Sequence, residues 1–343
     1  MNAVLLLNVG SPDSPDVSDV RRYLAQFLMD PYVLDMPYLL RAAVVYGTIL
    51  PKRPAASARA YRQIWMPEGS PLLVYTSRFA RALEVDLDMP VGYGMRYGNP
   101  SIPDAIAELK KRVPNLNRLL VIPMYPQYAE SSYKTAVEEV KKAVAGSSIA
   151  WDVLPPFFNR TDYISILAAH IGQELLSPFD HYVFTFHGLP VSHIKKADPT
   201  GQHCQLSDLC CSASGAAIAT CYRAQSIQTA RLLQAAMGLP DEKVSIAFQS
   251  RLGREPWLEP FTEGCLIELA RQGVKRVAVI SPSFVADCLE TLEEIGMRAK
   301  SAFVHHGGED LFLVSALNAD PQWVHGVGKW VNAFVRKGRV SGI

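Results

Sequence analysis

The sequence predicts an α/β protein with two Rossmann-like halves, each a four-stranded parallel sheet flanked by helices. Short apolar segments alternate with helix-like segments, the series occurs twice, and the apolar segments end in polar or Gly- and Pro-containing turns. At 343 residues the chain is long enough for two domains of ordinary size. We therefore expect a cleft between the halves, bordered by strand ends.

The predicted strands are short apolar segments, each followed by a turn. They lie at residues 4–10, 91–97, 119–125 and 149–154 in the first half and at 182–187, 244–250, 277–281 and 301–305 in the second. Helices are predicted at residues 103–113, 131–144, 162–176, 225–237, 261–272 and 322–335. The predicted domains are residues 1–160 and 161–320, and the C-terminal helix 321–336 is expected to pack on the first domain.

Composition and charge narrow the function classes. The net charge of +1 gives no indication of a nucleic-acid partner. The N-terminal segment lacks a basic region and a cleavage site, so it reads as a first strand rather than a signal peptide. We expect a cytoplasmic protein with reduced thiols. Nothing in the sequence indicates an oligomeric state.

Residues 32–50 are unusually apolar. Asp35, Pro37 and Arg41 interrupt the segment, which excludes a membrane span. It is compatible with a core helix, a dimer face, or a lip for an apolar ligand or a membrane surface. As a lip, residues 27–50 would give peripheral contact with a membrane.

His187 ends the apolar segment 182–187 and is followed by Gly188. In open parallel sheets the carboxyl ends of strands carry the ligand site, and histidine is the usual base near neutral pH. An isolated histidine at such a position can equally be a buried residue bound to a backbone carbonyl.

Three carboxylates follow the third strand of the second half. If a helix begins at Phe284, then Asp287, Glu290 and Glu294 share one of its faces. The row is compatible with a solvated helix face or with a track that binds a cation or carries protons.

Polar groups in the first half could bind the carboxylates of a large, flat, apolar ligand. The candidates, each of which could also be an ordinary core or surface residue, are Lys52, Arg53, Ser70, Arg96 and Tyr97.

Five motifs in order along nearly the whole chain resemble the ferrochelatases. They are LLNVGSP at 6–12, YPQY at 125–128, FTFHGLP at 184–190, FQSRLG at 248–253 with PWL at 256–258, and FVADCLETL at 284–292. The resemblance implies two Rossmann-like domains and the insertion of Fe²⁺ into a porphyrin to make haem. The segment YLAQFLMDP at 23–31 is more similar to the protoporphyrin-using enzymes than to the coproporphyrin-using ones.

The resemblance also implies residue roles. His187 and Glu290 would face each other across the porphyrin, as proton acceptor and metal ligands toward the substrate iron. Asp287 and Glu294 would form the acidic line behind Glu290. The apolar walls would come from Val9, Trp257, Phe284 and the lip, with Lys52, Arg53, Ser70, Arg96 and Tyr97 near the porphyrin carboxylates or the metal route.

Four of the six cysteines, Cys204, Cys210, Cys211 and Cys221, lie in one short segment. Four thiolates suit a [2Fe–2S] cluster or zinc, and unliganded or redox-paired thiols are a further alternative. Some bacterial ferrochelatases are similar and carry a [2Fe–2S] cluster here, so the resemblance favours the cluster. Cys265 and Cys288 are interpreted as packing residues.

The alternatives for function are a coproporphyrin III ferrochelatase, a cobalt or nickel chelatase of related fold, and a non-catalytic tetrapyrrole- or metal-binding protein.

Overall fold

The computed structural model describes residues 1–204, 206–212, 215–253 and 255–336. Its strands are β1 (Asn2–Ser11), β2 (Val91–Gly98), β3 (Arg118–Pro123), β4 (Ala150–Val153), β5 (His181–His187), β6 (Val244–Gln249), β7 (Arg276–Ile280) and β8 (Asp310–Leu313). They form two parallel four-stranded sheets, in the orders β2-β1-β3-β4 and β6-β5-β7-β8. The predicted fold class, with the same strand order repeated in each half, is confirmed.

Helices cover both sheets. The α-helices are α1 (Val17–Leu28), α2 (Tyr38–Val44), α3 (Arg53–Ile64), α4 (Pro71–Leu87), α5 (Ile102–Arg112), α6 (Thr135–Val144), α7 (Thr161–Glu174), α8 (Val191–Lys196), α9 (Asp208–Ser212), α10 (Tyr222–Ala236), α11 (Thr262–Arg271), α12 (Lys300–His305) and α13 (Pro321–Arg336). Three segments are π-helices, Val45–Ile49, Glu130–Lys134 and Glu290–Ala299, and two are 3₁₀-helices, Ala216–Ala219 and Asp241–Lys243.

One apolar core passes from the first sheet to the second. It contains Leu6 of β1 and Phe184 of β5, and both side chains are fully buried. Trp323 of α13 belongs to the same core and lies 5.9 Å, centroid to centroid, from Phe79 of α4 and 5.7 Å from Tyr163 of α7. Helix α13 therefore packs against the first helix of the second half and against a helix of the first half.

The prediction of a strand at residues 301–305 is wrong. These residues belong to α12, and β8 begins later, at Asp310, after the turn at Gly307 and Gly308. Ile295, Ala299 and Phe303 are buried in one cluster, and their spacing of four residues is that of a helix face. The short apolar run around Phe303 is therefore the buried side of a helix.

The prediction that a helix begins at Phe284 is also wrong. Residues 284–288 form an irregular loop after β7, and the helix starts at Leu289, immediately before the π-helix Glu290–Ala299. Asp287 is therefore not on one helix face with Glu290 and Glu294.

Candidate active site

His187 is the last residue of the central strand β5, at the carboxyl edge of the second sheet. Its ring is half-buried, and Nδ1 lies 2.6 Å from the carbonyl oxygen of Gly188. Because a carbonyl only accepts, Nδ1 carries the hydrogen, and Nε2 of the neutral ring keeps its lone pair. The backbone bond of a structural histidine is thus present, and it leaves Nε2 able to accept a proton.

The turn after β5 leaves little space for a side chain at Gly188. A Cβ at this position would lie 3.0 Å from the carbonyl oxygens of Gln249 and Ser250 and 3.4 Å from the Trp257 ring. The close approach brings the end of β5 against the loop after β6, and that loop reaches the π-helix.

Glu290 and Glu294 lie in the first turns of the π-helix Glu290–Ala299. The Gln249 side-chain amide donates to the Glu290 carbonyl oxygen at 2.9 Å. The Glu294 carboxylate accepts from the Ser250 amide at 2.9 Å and from its hydroxyl at 2.5 Å, and Arg298 approaches it at 3.4 Å. The end of β6 therefore binds the backbone of Glu290, and the first residue after β6 binds the carboxylate of Glu294, a connection that sequence reasoning did not find.

His187, Glu290 and Glu294 are electrostatic neighbours. Burial raises the pKa of the Glu294 carboxyl, and the negative charge of Glu290 adds to this effect. The hydrogen bond from Ser250, the charge that His187 carries when it is protonated, and the charge of Arg298 oppose it. The structure thus brings the predicted histidine and two of the three predicted carboxylates to one place.

Two tyrosines of the first half, Tyr23 and Tyr61, approach Glu290. Burial, and then the Glu290 charge, raises the pKa of the Tyr61 phenol, which shares hydrogen bonds with Ser11 and Tyr23. Burial likewise raises the pKa of Tyr23, whose hydroxyl donates to the Gly10 carbonyl at 3.1 Å. Glu290 therefore faces the first half of the chain, across the boundary between the sheets. Neither tyrosine had been predicted, because nothing in the sequence separates them from other helical core residues.

Cys288 is more than a packing residue. Burial raises the pKa of its thiol well above the ordinary value, and the charge of Glu290 and a hydrogen bond with the Glu290 side chain raise it further. The protonated thiol therefore donates to the Glu290 carboxylate.

Asp287 points into a separate network. Its carboxylate accepts hydrogen bonds from the Thr291 hydroxyl at 2.9 Å, the Asn318 side-chain amide at 2.8 Å and the Ala316 backbone amide at 3.3 Å. It is buried, with 3% of its surface exposed. These contacts join the loop after β7 to the segment before α13.

The predicted apolar wall residues Val9 and Phe284 lie in one small cluster with Leu72 and Cys288. The Phe284 ring centroid is 6.5 Å from that of His187. Trp257 donates from Nε1 to the Leu252 carbonyl at 3.0 Å, and Leu252 contacts the lip.

The predicted polar candidates fall into three groups. Ser70 is buried and its hydroxyl accepts from Ser11 at 2.6 Å, which places it in the network that contains Tyr61. Lys52 and Arg53 are exposed at the start of α3. Arg96 and Tyr97 both donate to the buried carboxylate of Asp30.

The four cysteines of the segment 204–221 belong to or pack against one apolar cluster, and all are free thiols. A hydrogen bond from Cys211 lowers the pKa of Cys221, and Arg223 donates to the Cys211 sulfur at 2.8 Å. Cys204 and Cys210 are electrostatic neighbours of this pair. The donor set is chemically suited to iron and sulfide, but in the described part of the chain no three His, Cys, Asp or Glu side chains converge as a metal site.

The lip has a buried and an exposed side. Leu28, Val45 and Leu50 are buried together, whereas Tyr38, Leu39, Leu40 and Tyr46 are 55–81% exposed. Among the helices within the described ranges, none has both the length and the apolar character needed to cross a bilayer.

Known proteins resemble the chain in sequence and fold. The sequence model of the ferrochelatase family matches residues 1–334. Curated ferrochelatases of Pseudomonas savastanoi pv. phaseolicola and Ectopseudomonas mendocina are 49% and 50% identical, over 94% of this chain and 95% of each relative. Among solved structures, SirB from Bacillus subtilis with Fe³⁺ shares the fold, with a TM-score of 0.54, 13% identity, and coverage of 96% of this chain and 94% of that one. The chain therefore belongs to the ferrochelatase family.

Proposed function

We propose that this enzyme inserts Fe²⁺ into protoporphyrin IX to form protohaem. The observation that carries the proposal is the meeting of His187, from the carboxyl edge of β5, with the glutamates of the π-helix at the boundary between the two sheets. Membership of the ferrochelatase family supports the reaction class. The preference for protoporphyrin rests on the segment 23–31.

In the proposed reaction His187 accepts protons from the porphyrin. Replacing two pyrrole N–H protons by Fe²⁺ releases two protons and leaves the total charge of the porphyrin unchanged. Since Nδ1 is bound to the Gly188 carbonyl, Nε2 is the atom that accepts. The carbonyl also stabilises the imidazolium that forms, because both ring nitrogens then carry hydrogen.

The glutamates would receive the iron and the released protons. The Glu290 carboxylate is a hard oxygen ligand suited to Fe²⁺ as it leaves its water shell. Glu294 has a raised pKa and is an electrostatic neighbour of both His187 and Glu290. It is therefore suited to hold a proton that moves away from the porphyrin, toward Arg298 and solvent.

Other side chains would bind the porphyrin. Val9, Trp257 and Phe284 would contact its faces, and distortion of the ring against them would expose the nitrogen lone pairs at a strain of about 1–5 kcal/mol. Ser70, Lys52 and Arg53 are proposed for the porphyrin carboxylates. We assign Arg96 and Tyr97 to the Asp30 network instead, since both already donate to that carboxylate.

The test offers protoporphyrin IX and coproporphyrin III separately, with Fe²⁺ under anaerobic conditions, and follows metalloporphyrin absorbance. We expect turnover with protoporphyrin, and its loss in His187→Ala and Glu290→Gln. Matched controls are His181→Gln, at the other end of β5, and Glu293→Gln in the same π-helix, and both should retain activity.

Faster turnover with coproporphyrin III would correct the substrate. Porphyrin binding with no metal insertion would indicate a non-catalytic tetrapyrrole-binding protein. Full activity in either site variant would overturn the assigned roles.

We further propose that Cys204, Cys210, Cys211 and Cys221 hold a [2Fe–2S] cluster. Bound there, the cluster would supply one-electron redox chemistry and would join the segment 204–221 to α10. Protein purified without oxygen should contain iron and sulfide and absorb visible light. Cys211→Ser should lose both, whereas Cys265→Ser, outside the segment, should keep them. Zinc without sulfide would refute the cluster.

We also propose a cytoplasmic protein that contacts a membrane surface through the exposed side of the lip. Support comes from Leu39 and Leu40, which are 81% and 55% exposed. Co-sedimentation with phosphatidylserine vesicles should fall in Leu39→Glu. Leu176→Glu, at a leucine that is 94% exposed and lies outside the lip, is the control, and equal binding by both variants would exclude this surface.

A further inference from the structure

Asp30 is a buried carboxylate that the proposed reaction does not use. It directly follows α1, and its side chain is 1% exposed. One oxygen, Oδ2, accepts hydrogen bonds from Arg96 Nη2 at 2.6 Å, the Thr135 hydroxyl at 2.6 Å and the Tyr97 hydroxyl at 2.9 Å. The other, Oδ1, accepts from the Tyr32 backbone amide at 2.8 Å.

The partners of Asp30 belong to the body of the first half. Arg96 and Tyr97 lie in β2 near its carboxyl end, and Thr135 begins α6. Arg96 also donates from Nε to the Thr135 hydroxyl at 2.8 Å, so the three groups around the carboxylate are fixed to one another.

Asp30 also fixes the first turn of the lip. Its backbone carbonyl accepts from the amides of Val33 and Leu34, both at 3.0 Å, so the first turn of the lip is built on this residue. The preceding turn of α1 is held at the same place, because the Phe27 ring packs edge-on against Tyr97 at 5.2 Å. One side chain therefore joins the lip to the end of β2.

The lip also contacts the second half through Asp35, and this contact is more exposed than the Asp30 carboxylate. Asp35 accepts from Lys196 of α8 at 2.8 Å, across the boundary between the halves, and these side chains are 46% and 52% exposed. An exposed ion pair of this kind adds little stability, whereas the buried Asp30 carboxylate cannot leave its site without losing its three donors in the body of the first half, Arg96, Tyr97 and Thr135. When the lip moves, the contact with α8 should therefore break first, and the lip should pivot about Asp30.

We propose that Asp30 is a positioning residue that holds the lip at the boundary between the two halves and thereby sets the affinity for porphyrin, without contact with the porphyrin itself. The proposal rests on the proposed function, since it assumes that the lip borders the porphyrin site. It implies that weakening the anchor raises the KM for porphyrin and leaves the metal-insertion step after binding unaltered.

The central test is Asp30→Asn, which keeps the shape of the side chain and removes its charge. We expect the porphyrin KM to rise about tenfold, the effect of losing one charge-assisted hydrogen bond, with kcat changed by less than about twofold. Thr135→Val and Tyr97→Phe each remove one hydroxyl donor and should raise KM by smaller factors. The matched control is Asp152→Asn, which alters a half-buried carboxylate paired with Arg118 on the far edge of the same sheet.

Amide hydrogen exchange on the free enzyme separates this proposal from the proposed function. Residues 31–50 should exchange faster in Asp30→Asn than in the parent and the control, whether or not the enzyme accepts porphyrin. If Asp30→Asn does not fold, the exchange of residues 31–50 is compared with the parent in Thr135→Val and Tyr97→Phe instead. Unaltered exchange in the lip, or a fall in kcat at constant KM, would overturn the anchoring role.

Discussion

Asp287→Asn is the substitution that best separates structure from chemistry at this site. The resemblance to ferrochelatases places Asp287 in the acidic line behind Glu290, but in the structure its carboxylate is bound to Thr291, Asn318 and Ala316. We expect the substitution to lower stability and to leave iron insertion by the folded enzyme nearly unaltered.

The expected loss follows from the hydrogen bonds. An asparagine at position 287 has one acceptor oxygen and one NH₂ group in place of two acceptor oxygens. Its NH₂ group must therefore face either the donors of Asn318 and Ala316 or the Thr291 hydroxyl. At least one charge-assisted hydrogen bond is lost in either orientation, which corresponds to a fall of about 1.5–3 kcal/mol in the free energy of unfolding. Asp287→Ala removes all three acceptor contacts and should cost more.

The assay compares urea midpoints, followed by tryptophan fluorescence, with turnover well below the unfolding transition. Glu294→Gln is the comparison variant, since Glu294 is the carboxylate that the structure does place beside His187. An Asp287→Asn enzyme with parental stability and abolished turnover would refute this reasoning and restore Asp287 to the proton route.

Three further predictions concern the core, a turn and pH. Trp323→Ala should lower the free energy of unfolding by about 3–5 kcal/mol in urea, and Trp323→Phe by less, since Trp323 is fully buried. Gly10→Ala should yield little folded protein on size-exclusion chromatography, because φ is +105° and the added Cβ would lie 1.8 Å from the Tyr97 carbonyl oxygen; normal yield would contradict this. The raised pKa of Glu294 favours folding below pH 4.5, and that contribution is lost as pH rises through the folded-state pKa. Glu294→Gln should therefore gain stability relative to the parent as pH rises, and a constant difference in urea midpoint would contradict it.

The central strands were predictable because buried parallel strands are continuous apolar segments, and 182–187 is such a segment. The segment 301–305 also contains apolar residues, but it is shorter, and a short apolar run does not distinguish a strand from the buried side of a helix. The four-residue spacing of Ile295, Ala299 and Phe303 is that of a helix face and would have identified this segment as a helix.

His187 was predictable because its position depends only on where a strand ends. The start of the following helix was not, since nothing in the sequence marks Leu289 rather than Phe284 as its first residue, and Asp287 was consequently placed on a helix face instead of in the loop after β7. The partners of Asp30 lie 66 residues away, at Arg96, and 105 residues away, at Thr135. Contacts at such separations leave no local pattern to read.

The apolar core that crosses from one sheet to the other has a consequence for protein engineering. The two halves have the same strand order, but they share one core and cannot be exchanged independently. In a chimaera with the second half of another chelatase, foreign side chains would pack against Leu6 and Phe79, and the C-terminal helix would have to come from the same donor protein. The lip is attached both through the Asp30 side chain and through the apolar cluster of Leu28, Val45 and Leu50, so a graft of the lip from a relative would have to carry both sets of contacts.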